Sequence, residues 1–397
     1  MRIWMPPQVE RILEKLNEKG FEAYAVGGCV RDSLLGRQPK DWDITTSARP
    51  EQVKSLFRRT IDTGILHGTV TVMLDGAGYE VTTYRVDGEY ADGRHPKQVV
   101  FTPDLLEDLK RRDFTINAMA YSHKTGIVDA FGGTKDLDGR LIRCVGNPVE
   151  RFEEDALRIL RAIRFSAQLD FSIEKETCSA VMRIAPNLSK VSKERIQAEL
   201  TSLLQSGHPE KIKKVYEMGI SQYISPAFSQ VPWQSFQVPD SLSSEKYVRW
   251  GAFLRMAGPD MAVQVLKELK MDLDTISRVR VLAAWADREV KAEAEEVRRA
   301  MSRMLPEVWD VLAELNGYGE RVRCLTEEIR DRGDCLDLKH LAVNGQDLIA
   351  VGIRPGKEMG RALEELLDRV LENPERNQKE VLLEYFLKQN LAGNQEA

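Results

Sequence analysis

Cysteine is scarce in this chain and poorly placed for chemistry. Five occur in 397 residues, Cys29, Cys144, Cys178, Cys324 and Cys335, with no Cys-x-x-Cys pair among them. That argues against a zinc ribbon or a disulfide framework and reads as a protein of a reducing compartment. An excess of one charge is lacking too: 57 Lys and Arg stand against 62 Asp and Glu, a formal net charge of −5. Any basic surface for a nucleic acid must then be local. No apolar run approaches the ~18 residues of a membrane span. The opening MRIWMPPQVERILEKLNEKG has neither a long apolar stretch nor a cleavage pattern, so we expect no signal peptide and a cytoplasmic protein. Fixed-period repeats and low-complexity tracts are missing as well. What is there is a chain 42% hydrophobic and 30% charged, enough for about two to four domains.

The character of the chain changes near residue 140. Before it, short strand-like runs alternate with helices. QVERILEKLNEKG is amphipathic and stops at Gly20. FEAYAV reads as a strand, DSLLG as a short helix, DWDITT as a strand, and ARPEQVKSLF as a helix with Pro50 near its start. GTVTVML and YEVTTYR are strands joined by a hairpin turn at Asp75-Gly76-Ala77-Gly78. After about residue 150 the spacing is helical, in FEEDALRILRAIRFSAQL, KETCSAVMRIAPNL, KERIQAELTSLLQSG, HPEKIKKVYEMG and KEMGRALEELLDRVLEN. Gly207-His208-Pro209 and Gly333-Asp334 are the clearest breaks in that helical part.

The segment GGCVRDSLLGRQPKDWDITTS, residues 27–47, concentrates the chemistry. Gly27 and Gly28 follow a strand and precede a helix, where free backbone amides bind phosphate. Asp41 and Asp43 are two apart, so on a strand they face one side. Two such carboxylates repel unless a cation sits between them, and Mg²⁺ is the natural one beside phosphate oxygens. Glu80, on a neighbouring strand, is the candidate third carboxylate of a two-metal site. An isolated Asp-x-Asp is more often an exposed strand edge, and a lone Gly-Gly more often a tight turn. Their succession in one segment favours a triphosphate and its magnesium.

Three further segments, RRDFTINAMAY at 111–121, EEDALRILRAIRF at 153–165 and KERIQAEL at 193–200, follow in order. Together with residues 27–47 they resemble bacterial tRNA nucleotidyltransferases, the class II CCA-adding enzymes of the polymerase-β-like superfamily. VNGQDLIAVGIRPGKEMGRALEELL at 343–367 resembles the family's C-terminal region more loosely. The resemblance implies an α+β protein: a small polymerase-β-like head with a mixed sheet, then an elongated all-α neck, body and tail. The expected borders are 1–140 for the catalytic head, 141–206 for the neck, 207–300 for the body and 301–397 for a tRNA-binding tail. It implies addition of CCA to the 3′ end of tRNA from CTP and ATP, with Mg²⁺ and release of pyrophosphate. Asp41 and Asp43 match the metal-binding aspartates and Glu80 the third carboxylate. Gly27, Gly28, Arg31 and Asp32 match the nucleotide-phosphate loop. Arg111, Arg112, Asp113 and Asn117 match residues around sugar and triphosphate. Glu154, Asp155, Arg158, Arg161 and Arg164 fall in the nucleotide-selecting helix.

On that helix, at roughly 100° per residue, Glu154, Asp155, Arg158 and Arg161 share about a third of the circumference. The bland reading is i,i+4 pairing of Glu154 with Arg158. The functional one is base choice. A carboxylate accepts a hydrogen bond and a guanidinium donates one. Cytosine and adenine each offer an amino donor beside a ring-nitrogen acceptor, whereas uracil and guanine reverse the pair. An Asp155–Arg158 pair therefore takes C and A, with Glu154 orienting Arg158; in the family this motif acts as a protein template. Lys190, Lys193, Arg195, Lys211, Lys213 and Lys214 are candidate RNA contacts in the helical part, each more simply a solvated cation. No histidine suits a general base.

Three rivals remain at this stage. A poly(A) polymerase shares the head, but ILHGTVTVML lacks its arginine-rich counterpart, and there is no basic C-terminal tail. A relative adding only CC or only A is the second. The polar stretch Tyr84 to Phe101 is long, as in CCA-adding members, and is expected to help the switch from C to A; its Arg94-His95-Pro96 departs from the more frequent Arg-Arg-Pro. A non-enzymatic RNA-binding module is the third, and it would have no use for Asp41, Asp43 and the arginines together. There is no His-Asp dipeptide, which removes the phosphohydrolase domain that some relatives carry. Oligomeric state is left open, a homodimer included.

Overall fold

The computed structural model describes residues 2–87 and 99–393. The expected C-to-A switching stretch falls largely on 88–98, outside the described residues. The chain forms two compact units. The first is Met1–Gln237 with Ser244–Arg249 and Gln264–Asp272; the second is Val238–Ser243, Trp250–Val263 and Leu273–Ala397.

The first unit starts with helix α1, Pro7–Glu18, whose Val9, Ile12, Leu13 and Leu16 recur every three to four residues and are buried. Each such side chain contributes about 1.5–3 kcal/mol by leaving water. Strands β1 (Ala23–Val26), β2 (Ile44–Thr46), β3 (Thr60–Gly64), β4 (Thr69–Leu74) and β5 (Ala77–Thr83) follow, with α2 (Gly28–Leu34) and α3 (Pro50–Leu56) between them. A short ribbon of β6 (Arg85–Asp87) and β7 (Val99–Phe101) precedes α4 (Leu105–Lys110), and β8 (Ala120–Ser122) and β9 (Gly126–Val128) complete the head strands. The main sheet runs β3-β4-β5-β2-β1-β8-β9. It is mixed as expected: β2 and β5 are parallel, while β1 pairs antiparallel with both β2 and β8.

Three local readings are corrected. The DSLLG helix begins earlier, at Gly28, so the second glycine is its first residue. The turn between β4 and β5 is only Asp75-Gly76, since Leu74 pairs with Ala77. Both turn residues have positive φ, 51° and 84°, the backbone that right-handed strand twist selects in a two-residue hairpin. The strand in DWDITT starts only at Ile44.

Helices α5 (Gly133–Asp138), α6 (Pro148–Glu154), α7 (Leu157–Leu169), α8 (Lys175–Ile184) and α9 (Lys193–Leu204) continue the first unit. Helix α7 buries Ile159, Leu160, Ala162 and Ile163 and turns its arginines the other way. Helix α9 ends at Leu204, and Pro209–Ile212 is a short 3-10 turn.

Among its described residues the second unit contains helices and no strand. Its helix Glu320–Arg332 stops at Gly333, whose φ of 66° caps it as the sequence indicated. The helix Lys357–Glu372 buries Ala362, Leu366 and Val370 against Leu341, Val343, Leu348, Leu382 and Phe386. Its last carbonyls accept from the buried Arg298, whose Nε lies 2.7 Å from Leu371 O.

Candidate active site

The site begins where β1 stops. Gly27 has φ of 81°, and a Cβ there would lie 3.2 Å from Arg112 Nη1. Both facts demand glycine. Its amide donates to Met119 O at 3.1 Å, which brings the RRDFTINAMAY segment under the loop.

Asp41 and Asp43 lie just ahead of β2, and the alternation survives outside the regular strand: Trp42 is buried while both aspartates are exposed. Val26 N donates to Asp43 O at 3.0 Å and holds the segment beside β1. The parallel register pairs Ile44 with Val81, so one step back along both strands sets Asp43 beside Glu80. Asp41, Asp43 and Glu80 all line one cleft of about 680 Å³. Partial enclosure raises the Asp43 carboxyl above its ordinary range; Arg112 opposes the rise, and Glu80 and Asp41 add to it. Among the described residues, no three Asp, Glu, His or Cys side chains converge tightly enough to cage an ion unaided. An all-oxygen set of this kind, mutually repelling and open to the cleft, fits a hard divalent cation that takes its remaining ligands from a substrate.

From α2 to α9 runs a line of alternating partners. Arg31 donates to Asp32 Oδ1 at 2.8 Å and to Asn117 Oδ1 at 2.7 Å. The Asn117 amide donates to Asp113 Oδ1 at 3.1 Å, and the other Asp113 oxygen accepts from Arg161 at 2.5 and 2.8 Å. Arg161 and Arg164 both reach Glu199 of α9, at 3.8 and 2.5 Å. Burial alone would raise the Asp113 carboxyl, but Arg161 and Asn117 overturn that and hold it at about 2. Arg31, Arg161 and Arg164 also gather round one ring, Phe165, at 5.1, 5.4 and 4.0 Å from its centroid. Burial and the nearby Arg161 lower the Arg164 pKa, with Glu199 opposing. Asp32, Asp113 and Glu199 offset the charge that the three guanidinium groups bring together round the ring.

Asp108 was not read from the sequence. It is fully buried and accepts from Arg111 at 2.7 and 3.0 Å, Arg112 at 3.3 Å, Thr45 Oγ1 at 3.1 Å and Arg85 N at 3.3 Å. Burial opposes its ionisation, yet Arg111 and Arg112 keep it below the usual carboxylate range. An acid flanked by leucines in LLEDL was the available signal. Asp108 steadies Arg112, whose Nε is buried with no partner among the described residues. Glu199 and Phe165 were missed as well, though KERIQAEL and AIRF were marked.

The nucleotide-selecting segment needs the largest correction. EEDALR is not one helix. Helix α6 ends at Glu154, Asp155 is extended at φ −149° and ψ 102°, and α7 starts at Leu157. The physical reason is that the Asp155 carboxylate accepts from the Leu157 amide at 3.1 Å and so competes with helix continuation. Asp155 pairs with Arg195 of α9, at 2.7 and 3.3 Å. Glu154 does meet Arg158, at 2.5 Å, and Arg158 also donates to the carbonyls of Arg151 and Arg111. Of the candidate RNA cations, Arg195 is thus engaged internally. So are Lys193, with Ile224 O, and Lys211, with Asp170 at 2.7 Å.

Residues 23–143 match the family model of the poly A polymerase head domain. Residues 170–231 match that of a probable RNA and SrmB-binding site of polymerase A, and 242–386 that of a putative tRNA nucleotidyltransferase domain 2. With the cleft and the mixed sheet, they define an enzyme of the nucleotidyltransferase class. The CCA-adding enzyme of Lactobacillus delbrueckii subsp. bulgaricus is 39% identical over 388 residues, 96% of this chain and 97% of that one. The Bacillus stearothermophilus CCA-adding enzyme, solved in complex with CTP, has a TM-score of 0.81 at 32% identity, over 99% of this chain and 100% of that one. The chain belongs to the CCA-adding enzymes. Among the described residues, no helix is long and apolar enough to cross a membrane.

Proposed function

We propose that this chain adds C, C and A in turn to the 3′ end of tRNA, using CTP and then ATP and releasing pyrophosphate each time. The observation that carries this is the meeting of Asp41, Asp43 and Glu80 on one cleft, with Arg112 near enough to Asp43 to oppose the rise in its pKa. Asp41 and Asp43 hold Mg²⁺, with Glu80 as the third carboxylate. Mg²⁺ in that place lowers the pKa of the attacking 3′-hydroxyl and offsets charge on the pyrophosphate.

The chain's own residues do the rest. Gly27 and Gly28 let the backbone approach the triphosphate, with Asp32 fixing Arg31. Arg112, held by Asp108 and still partly exposed, donates to a phosphate oxygen. Asn117 faces the ribose. Arg158, steadied by Glu154, donates to the ring nitrogen of C or A, and Asp155 accepts from the exocyclic amine. Base entry then requires Asp155 to share or release Arg195. We assign 1–140 to catalysis, 141–206 to nucleotide choice, 207–300 to the body and 301–397 to tRNA binding. The work is cytoplasmic, and one chain supplies every residue of the site, so a homodimer is not required.

The test is incubation with Mg²⁺ and tRNA lacking its 3′ end, with CTP, ATP or both, followed by sequencing of the products. CTP alone should give CC, and both together CCA. A product stopping at CC with both nucleotides, A added only to tRNA already ending in CC, or a long A tail would establish one of the narrower readings instead.

A further inference from the structure

The strap ahead of α1, residues 2–6, is outside everything so far assigned to the site. It alternates: Ile3 and Met5 are 4% and 3% exposed, while Trp4 between them is 67% exposed. The strap is fastened. Ile3 N donates to Tyr121 Oη at 3.0 Å, and the His123 ring meets Ile3 O at 3.1 Å. His123 is itself held by Glu10, at 3.2 Å. Trp4 is therefore displayed at a fixed place, and that place is the wall of the cleft that also holds Asp41, Asp43 and Glu80. Among the described residues it is the only exposed aromatic side chain; every other Phe, Tyr and Trp is at least half-covered. A scattered exposed apolar group needs no explanation, but a fastened, open indole lining the same cleft as Asp41, Asp43 and Glu80 does.

We propose that Trp4 is a stacking platform for the acceptor RNA, taking the base at or next to its 3′ end. This rests on the nucleotidyl-transfer reading, since the 3′-hydroxyl must reach Asp41 and Asp43 in this cleft. The chemistry of successive additions favours stacking there. The acceptor end changes its base as it grows, so a hydrogen-bonding pocket that suited one end would reject the next. An aromatic face accepts every base, because each has a π-surface. Lys40 is the only basic residue among those lining the cleft, where it can meet a backbone phosphate.

The test uses the full chain with Trp4→Ala and Trp4→Phe, and tRNA lacking its 3′ end with CTP. Trp4→Ala should raise KM for the RNA by about 5- to 150-fold and leave KM for CTP within about twofold. Trp4→Phe, which keeps a flat ring, should recover most of the loss. Without nucleotide, RNA should quench more fluorescence in the wild type than in Trp4→Phe. An unchanged RNA KM in Trp4→Ala, with normal turnover, would overturn the platform and leave the transfer reading standing. Equal losses for RNA and CTP with a lowered unfolding midpoint would make the strap structural and also overturn it. A wild-type protein that transfers no nucleotide would instead remove the reading beneath the proposal.

Discussion

Asp113→Asn removes one charge and keeps the shape of a side chain that touches Arg161, Asn117 and the Phe114 amide. In the folded protein this carboxyl sits at about 2, against an ordinary value of 3.8, despite its burial. At about 1.36 kcal/mol per pKa unit, that gap is worth ~2 kcal/mol of folding stability. Because the folded value is depressed, the contribution is complete above pH ~4 and is lost as pH falls towards 2. Asp113→Asn should therefore be less stable by ~2 kcal/mol at pH 7. The gap from wild type should stay level between pH 7 and 5 and narrow below pH 4. Asp113→Ala should cost more, about 3–5 kcal/mol, since it leaves Arg161 without its buried partner and opens a space. Urea unfolding at several pH values reads the global effect; hydrogen exchange of peptides covering 113–122 reads the local one. Equal midpoints and equal exchange at pH 7, or a gap indifferent to pH between 5 and 3, would refute the reasoning.

Asp41→Ala and Asp43→Ala should each abolish C and A addition while tRNA still binds in a filter or gel-shift assay; normal turnover by either at saturating Mg²⁺ would remove the metal assignment. Gly27→Ala forces a side chain onto a backbone with φ of 81° and against Arg112, so KM for both CTP and ATP should rise at least tenfold, a ~1.4 kcal/mol effect; an unchanged KM would show that the loop has room to spare. Asp155→Ala and Arg158→Ala should keep phosphoryl transfer but let U or G compete, eroding discrimination of ~1–3 kcal/mol, about 5- to 150-fold. Full fidelity in both, with only lower stability, would return the pair to a structural role.

The head was legible because its signals are local. A glycine pair after a strand, Asp-x-Asp before one, and alternating apolar runs state their own geometry. Glu80 was found because β-pairing carries a short-range register, even though the turn had been drawn two residues too long. What stayed hidden is partner choice over long sequence separation. Asp155 reads as a helical residue by spacing, yet its carboxylate takes the Leu157 amide locally and Arg195 from forty residues on. Asp108 looks like an ordinary acid in a helix until five donors from three stretches of the chain close on it. Periodicity reports which face a side chain is on; it does not report which of several oppositely charged groups will fold against it.

The line from Asp32 through Arg31, Asn117, Asp113 and Arg161 to Glu199 has a consequence for how such a protein can change. These groups hold α7 and α9 to the loop segments of the head, and on the proposed reading the same arginines meet the nucleotide's charge. Hold on the nucleotide's charge and architecture then draw on one set of atoms and cannot be mutated separately. A lineage altering that hold through these residues would meet folding failure before it met a new affinity. The accessible route is by way of variants already stabilised elsewhere, and laboratory selection for substitutions along this line should succeed from a thermostabilised parent where it stalls from this one.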